Sequence, residues 1–242
     1  MEPIFRKEFT VNDLYVDCFG RLKLSAVLFL AQEVAGHHCI ELGLDWETLA
    51  QQNLFWAVMR HKVQINRLPC RGETVIVQTW PMPTTRTAYP RAMEVLDQAG
   101  NVLLRSVSLW VLMDLNTRAM ILPGKSGVAV SGTTQGTELA VPRSIVPKPL
   151  THESTRPVLF SDLDRNGHMN NTRYLDWVQD LLPSAFHQDH EAREFTVCYL
   201  SESREGQALD FRWELSEDGV LQVDATRENE RVFAAQILFS VN

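Results

Sequence analysis

Asp164-Arg165-Asn166-Gly167-His168-Met169-Asn170-Asn171-Thr172-Arg173-Tyr174-Leu175 decides the reading of this chain, because a second version of it stands upstream: Asp17-Cys18-Phe19-Gly20-Arg21-Leu22-Lys23-Leu24-Ser25-Ala26-Val27-Leu28. At a constant offset of 147 residues, Asp17 meets Asp164, Gly20 meets Gly167, Ser25 meets Thr172 and Leu28 meets Leu175. Four matches in twelve positions are thin by themselves, so the duplication has to be judged on what flanks them.

The flanks agree. A strand-like run precedes each Asp–Gly turn, at Ile4–Val11 and at Arg156–Phe160. Apolar residues then recur at helical spacing. They are Val27, Leu28, Ala31, Val34 and Ala35 after the first turn, with Ser25 as the expected N-cap. After the second they are Tyr174, Leu175, Val178, Leu181 and Leu182, with Asn171 as the expected cap and Pro183 as a stop. Strands are expected next at Phe55–Asn66, Thr74–Pro81, Thr87–Asp97, Val102–Leu112 and near Met120, and in the second half at Glu194–Leu200, Leu209–Leu215, Val220–Thr226 and Val232–Val241. Each half thus reads as a strand, one long apolar helix and four or more antiparallel strands curling round it. That is the hotdog arrangement, and two copies give an α+β double hotdog. Gly, Ser, Thr and Pro crowd the stretch from Pro123 to Pro149 and mark a linker. The expected organisation is a first hotdog over 1–122, a linker over 123–150 and a second hotdog over 151–242.

Composition narrows the function. With 45% hydrophobic and 22% charged residues the 242-residue chain has a globular balance. Lys and Arg total 23 against 30 Asp and Glu, a formal charge of −7, which argues against a nucleic-acid binder. The most apolar run, Ala26–Ala31, is far short of the roughly 20 residues that span a bilayer. Met1-Glu2-Pro3 leads into Ile4-Phe5-Arg6-Lys7 without a secretory pattern, and Cys18, Cys39, Cys70 and Cys198 lack paired spacing. A cytoplasmic protein with reduced thiols, without nucleic acid or membrane insertion, is expected.

Two segments carry candidate chemistry. Asp164, Gly167 and Asn171 are ordinary turn and cap residues, but His168 has no special merit in a turn. A neutral imidazole there can donate one hydrogen bond and accept another. Asn166 and His168, two residues apart, share a side if the segment is extended. The second segment is Phe195-Thr196-Val197-Cys198-Tyr199-Leu200-Ser201-Glu202-Ser203, an alternating strand ending in charge. Glu202 shares a face with Cys198 and Leu200. It is either a solvated strand-end carboxylate or, at the mouth of an apolar groove, a base whose desolvation raises its pKa.

Asp162-Leu163-Asp164-Arg165-Asn166-Gly167-His168-Met169-Asn170-Asn171-Thr172-Arg173-Tyr174-Leu175-Asp176-Trp177 resembles the catalytic segment DLDxNxHxNNxxYxxW of the plant and bacterial fatty acyl-ACP thioesterases, and every fixed place is filled. Thr79-Trp80 and the run Arg105-Ser106-Val107-Ser108-Leu109-Trp110-Val111-Leu112-Met113-Asp114 with Thr117-Arg118 resemble further motifs of that family. The resemblance spans nearly the whole chain. It implies catalytic roles for Asp164, Asn166, His168 and Glu202, the last because Tyr199–Ser203 stands where the family has YRREC. The chain departs from the family at Ser203, which replaces a cysteine once proposed as nucleophile.

The resemblance further implies acyl-chain binding in the first half and water attack on a thioester in the second. Glu202 would take the proton, Asn166 and His168 would orient the carbonyl or the water, and Asp164 would hold both. Backbone amides near Asn170 and Asn171 would face the oxyanion. Phe29, Leu30, Phe55, Trp56, Val58 and Met59 are the apolar supply. The implied partner is acyl carrier protein, which is acidic, so Arg60, His61, Lys62, Arg67, Arg71, Arg86 and Arg91 are candidate contacts. Rival readings are an acyl-CoA thioesterase of hotdog type, a non-catalytic acyl-binding module and, more remotely, a hotdog dehydratase. No cofactor or metal is expected: His37 and His38 are adjacent, and His187 and His190 fall in an expected polar loop. Hotdog sheet edges pair between chains in some proteins, which makes a homodimer one option.

Overall fold

A computed structural model describes residues 4–134, 136 and 139–241. Gln135, Thr137 and Glu138 of the expected linker, and residues 1–3 and 242, lie outside the described residues. The chain divides into two compact units, up to Pro142 and from Arg143.

The first unit runs β1 (Phe5–Thr10), a 3-10 turn (Asp13–Tyr15), α1 (Leu24–Leu42), α2 (Trp46–Ala50), β2 (Leu54–Ile65), β3 (Thr74–Pro81), β4 (Tyr89–Leu96), β5 (Val102–Asp114), β6 (Met120–Ile121) and α3 (Pro123–Ser126). Its strands pair antiparallel in the order β1-β3-β4-β5-β2, with β6 added to β5. α1 lies against β1 and β3 and buries Val27, Leu28, Leu30, Ala31, Val34 and Ala35. It stops at Gly43, whose φ of 66° places it in the left-handed region that suits glycine. The helix starts one residue earlier than the expected Ser25 cap. Lys23 occupies the cap, and Leu24 and Ser25 are already buried inside the helix. Leu24 is 2% exposed, so its inclusion in the helix comes with burial of its apolar side chain.

The second unit runs β7 (His152–Pro157), a 3-10 turn (Phe160–Asp162), α4 (Arg173–Gln179), α5 (Ser184–Asp189), β8 (His190–Tyr199), β9 (Ala208–Leu215), β10 (Val220–Arg227) and β11 (Glu230–Val241). The sheet order is β8-β11-β10-β9-β7, again antiparallel. Tyr174 stacks on Phe233 with ring centroids 4.5 Å apart and Trp177 packs on Phe211, so α4 is seated on β11 and β9. Both units are hotdogs.

Four local expectations change. The strand before the second turn is 152–157, because the Asp162 carboxylate accepts the Leu159 N–H at 3.0 Å and winds Phe160–Asp162 into a 3-10 turn. The second helix is two turns and not long. Leu181 and Leu182 donate to carbonyls three residues back, which tightens its end before Pro183, itself without an N–H. Thr172, and not Asn171, is the residue at its start. His187 and His190 are not in a loop: they belong to α5 and the first residue of β8, where Phe186 and His190 stack at 4.1 Å.

The repeat seen in sequence recurs in the backbone. Gly20 N–H donates to Asp17 O and Gly167 N–H to Asp164 O, both at 3.0 Å; Asp17 N–H donates to Arg21 O and Asp164 N–H to His168 O, both at 2.8 Å. Leu22 N–H to Pro69 O and Met169 N–H to Ser203 O, at 2.8 Å each, stitch each bend to a later loop of its own unit. Gly20 and Gly167 hold φ of 78° and 75°, which explains why glycine stands at both places. Parts of the connecting stretch are laid on the units. Val128 and Val130 pack on Leu49, Leu54, Tyr89 and Leu112, and Ile145 packs on Cys198 and Ala234.

Two of the candidate basic contacts are interior. His61 on β2 is buried with Nε2 2.7 Å from Ser106 Oγ, and Arg91 on β4 is buried beside His38 and Thr79. His61 is one of the buried positions that alternate along the end of β2, and Arg91 lies in β4, which is buried from Tyr89 to Val95. Arg67 and Arg71 are engaged by Glu73 and Asp13. Burial lowers the His61 imidazole to about 3, and burial with the Arg91 charge lowers His38 to about 4. The unfolded chain takes these protons near pH 6.5, so the stability from keeping the rings neutral is complete above that pH and declines as pH falls towards 4 and 3. His61→Gln is expected to flatten this loss in urea-unfolding midpoints taken from pH 7 down to about pH 4.5. An unchanged slope would assign the acid sensitivity elsewhere.

Candidate active site

One carboxylate shapes the bend that carries the candidate residues. Asp164 Oδ1 accepts the backbone N–H of Asn166 at 2.8 Å and of His168 at 3.2 Å, and its Oδ2 lies 3.4 Å from Asn166 Nδ2. With Gly167 N–H closing back on Asp164 O, residues 164–167 form a tight turn and not an extended segment. Asn166 and His168 therefore do not share a side by strand parity. Asn166 is exposed, whereas the His168 side chain is 13% exposed.

The bend is held against the loop that follows β8. His168 bridges Arg204 as isolated ladder partners, and Met169 N–H donates to Ser203 O. This brings His168 Nε2 to 3.3 Å from Glu202 Oε2. An imidazole and a carboxylate 34 residues apart in sequence are thus in direct contact, with the Glu202 side chain 44% exposed.

Around the pair, uncharged and cationic donors fix the backbone. Tyr174 Oη donates to the buried Ser203 Oγ at 3.0 Å, and Tyr199 Oη donates to Asn171 O at 2.9 Å. Burial raises both phenols, Tyr199 well above its ordinary range, so both stay protonated donors at neutral pH. Arg227 Nη1 donates to Glu202 O at 2.6 Å and to Gln207 Oε1 at 3.2 Å, while Gln207 Oε1 also accepts the Arg204 N–H. Asn170 Oδ1 accepts the Thr172 N–H and hydroxyl, each at 2.9 Å, and turns the chain into α4. Asn170 N–H is committed to Asp162 O at 2.8 Å and does not face the site as an oxyanion donor.

The sequence reading missed Tyr174, Gln207 and Arg227 as supports. Tyr174 was legible as an apolar helix position and as the tyrosine of the family segment, not as a donor to Ser203, and an arginine aimed at a backbone carbonyl, as Arg227 is, leaves no spacing pattern. The first unit repeats the bend without the pair. Arg21 stands in place of His168 and bonds Asp17 Oδ2 at 3.2 Å, and Cys70 stands in place of Arg204. Leu68, two residues before Cys70, falls where Glu202 would be. Among the described residues no group of three or more His, Cys, Asp or Glu side chains is arranged to hold a metal ion, and no helix is long and apolar enough to cross a membrane.

Sequence models of the acyl-ACP thioesterase N-terminal and C-terminal domains match residues 2–122 and 148–240. Among curated relatives, the chain is 27% identical over 214 residues to a chloroplastic dodecanoyl-[acyl-carrier-protein] hydrolase of Cinnamomum camphora, covering 82% of this chain and 56% of that protein. It is 24% identical over 226 residues to the chloroplastic oleoyl-acyl carrier protein thioesterase 2 of Arabidopsis thaliana, covering 85% and 61%. The chain spans little more than half the length of the curated relatives it matches. The crystal structure of an acyl-ACP thioesterase from Bacteroides thetaiotaomicron superposes with a TM-score of 0.90 at 28% identity, covering 98% of both chains. That of a 12:0-ACP thioesterase from Umbellularia californica, with a TM-score of 0.84 at 24% identity over 100% and 99%, shares the fold.

Proposed function

The chain belongs to the acyl-ACP thioesterase family, and from that premise we propose that it hydrolyses fatty acyl-ACP to a free fatty acid and holo-ACP, with the chemistry in the second unit. The contact of His168 Nε2 with Glu202 Oε2 at 3.3 Å carries the proposal. Glu202 accepts a proton from water as that water adds to the thioester carbonyl, and the carbon–sulfur bond then breaks with release of the pantetheine thiolate, which takes up a proton. His168 orients the carboxylate and the water through Nε2. Asp164 acts one step back, fixing the backbone of Asn166 and His168, and Asn166 is exposed where a substrate carbonyl or water can meet it. Glu202 is open to solvent, so its desolvation as a base comes with the bound acyl group. With Asn170 N–H committed, the Asn171 N–H is the amide left for the oxyanion.

A nucleophilic Ser203 fits poorly, because its buried hydroxyl faces Tyr174, which is no base at neutral pH. Thiol release from acyl-ACP and acyl-CoA of equal chain length tests the reading. The expected result is a higher kcat/KM on the carrier protein, with Ser203→Ala within about threefold of wild type and destabilised by about 1 kcal/mol through the lost Tyr174 hydrogen bond. Preference for acyl-CoA would favour the coenzyme A reading, and acyl binding without thiol release an acyl-binding module.

A further inference from the structure

Glu202 sits in a loop, and a reacting carboxylate on a loop needs its backbone fixed from outside. On one side Leu200 and Ser201 N–H both reach Val232 O, at 2.9 and 3.2 Å; on the other, Ser203 O is held by Met169 N–H. Between these anchors the Glu202 carbonyl is taken by a side chain, Arg227, at 2.6 Å. The same guanidinium reaches Gln207 Oε1, Ser201 Oγ at 3.4 Å and Glu230 Oε2 at 2.6 Å, so it binds the loop before, at and beyond Glu202. Its side chain is only 18% exposed.

The hairpin around Arg227 is built to present it. Arg227 and Glu230 are paired across β10 and β11, and the two loop residues Glu228 and Asn229 take φ of 50° and 69°, as a type I′ turn requires. A bulge between Ala225 and Thr226 breaks the register just before Arg227, a device that re-aims strand ends. The hydrogen bond from Arg227, with one from Ser201, holds the Glu230 carboxyl below its usual range, so that partner stays ionised.

We infer that Arg227 is a positioning residue for the Glu202 carboxylate, acting through the Glu202 carbonyl and Gln207. The inference rests on the hydrolytic reading for its kinetic consequence but not for its structural one. The test uses the full chain with Arg227→Gln, Arg227→Lys, Glu202→Gln and the double variant Arg227→Gln/Glu202→Gln. Arg227→Gln is expected to lower kcat on acyl-ACP about 10–100-fold with KM within about twofold, as lost alignment does. Arg227→Lys, one point charge in place of a fork, should fall between. In the Glu202→Gln background Arg227→Gln should cost nothing further, because a residue that acts only through another is silent once that one is gone. Amide exchange at Met169 and Arg204 should quicken in Arg227→Gln while Val223, inside β10, is unchanged. A kcat within twofold of wild type, an equal loss in the Glu202→Gln background, or unaltered exchange at Met169 and Arg204 would each overturn the assignment. Should Arg227→Gln not fold, Arg227→Lys carries the same comparisons. A wild-type protein inert on every thioester would defeat the hydrolase reading alone, since the exchange measurement judges Arg227 without it.

Discussion

Glu202→Gln is expected to lower kcat/KM on acyl-ACP by about 10²–10⁴-fold, the range a positioned general base contributes. The exchange of one oxygen for an amide keeps the size and the donor contact near His168 but removes the proton acceptor. The loop itself should survive, because its anchors are backbone groups and the Tyr174, Gln207 and Arg227 side chains, not the carboxylate. Thermal midpoints of the two proteins are therefore expected to agree closely while activity collapses. Thiol release by the variant within tenfold of wild type would remove Glu202 from the role of base.

His168→Ala is expected to lower kcat/KM about 10²–10³-fold, the loss typical of removing one preorganised polar group from a transition state. Its Nε2 contact orients Glu202, so its effect should overlap with that of the carboxylate. The double variant Glu202→Gln/His168→Ala should be no worse than about the poorer single variant, as for residues that act as a unit. Losses that multiply in full would mean that the two side chains serve separate steps. Steady-state kinetics of the four proteins on one acyl-ACP settle the matter.

Much of this was legible because it depends on local chemistry. β3 runs over Thr74–Pro81, the bounds expected of its β-branched run, and Gly20 and Gly167 sit where a positive φ is needed. The His168–Glu202 contact was legible only through the family resemblance: no spacing rule links a bend residue to a loop 34 positions away. What sequence could not supply was set by tertiary packing or by backbone-directed bonds. Leu24, 2% exposed, lies inside the helix, and Lys23 takes the cap expected of Ser25. The Asx turns at Asp164 and Asn170 make a compact bend, so strand parity does not govern where Asn166 and His168 point. His61 and Arg91, surface candidates by residue type, are interior because the end of β2 turns His61, Val63 and Ile65 inward and β4 is buried from Tyr89 to Val95.

The buckle at Asp17–Arg21 shows that this loop geometry forms without an imidazole–carboxylate pair. Its aspartate, its glycine and its stitch to Pro69 are all in place, yet a guanidinium folds back on Asp17 where the other copy offers an imidazole to a carboxylate. Scaffold and reactivity are thus separately heritable. After a tandem doubling, one copy can surrender its reagents to drift and keep its mechanical duty, while the other stays under selection for both.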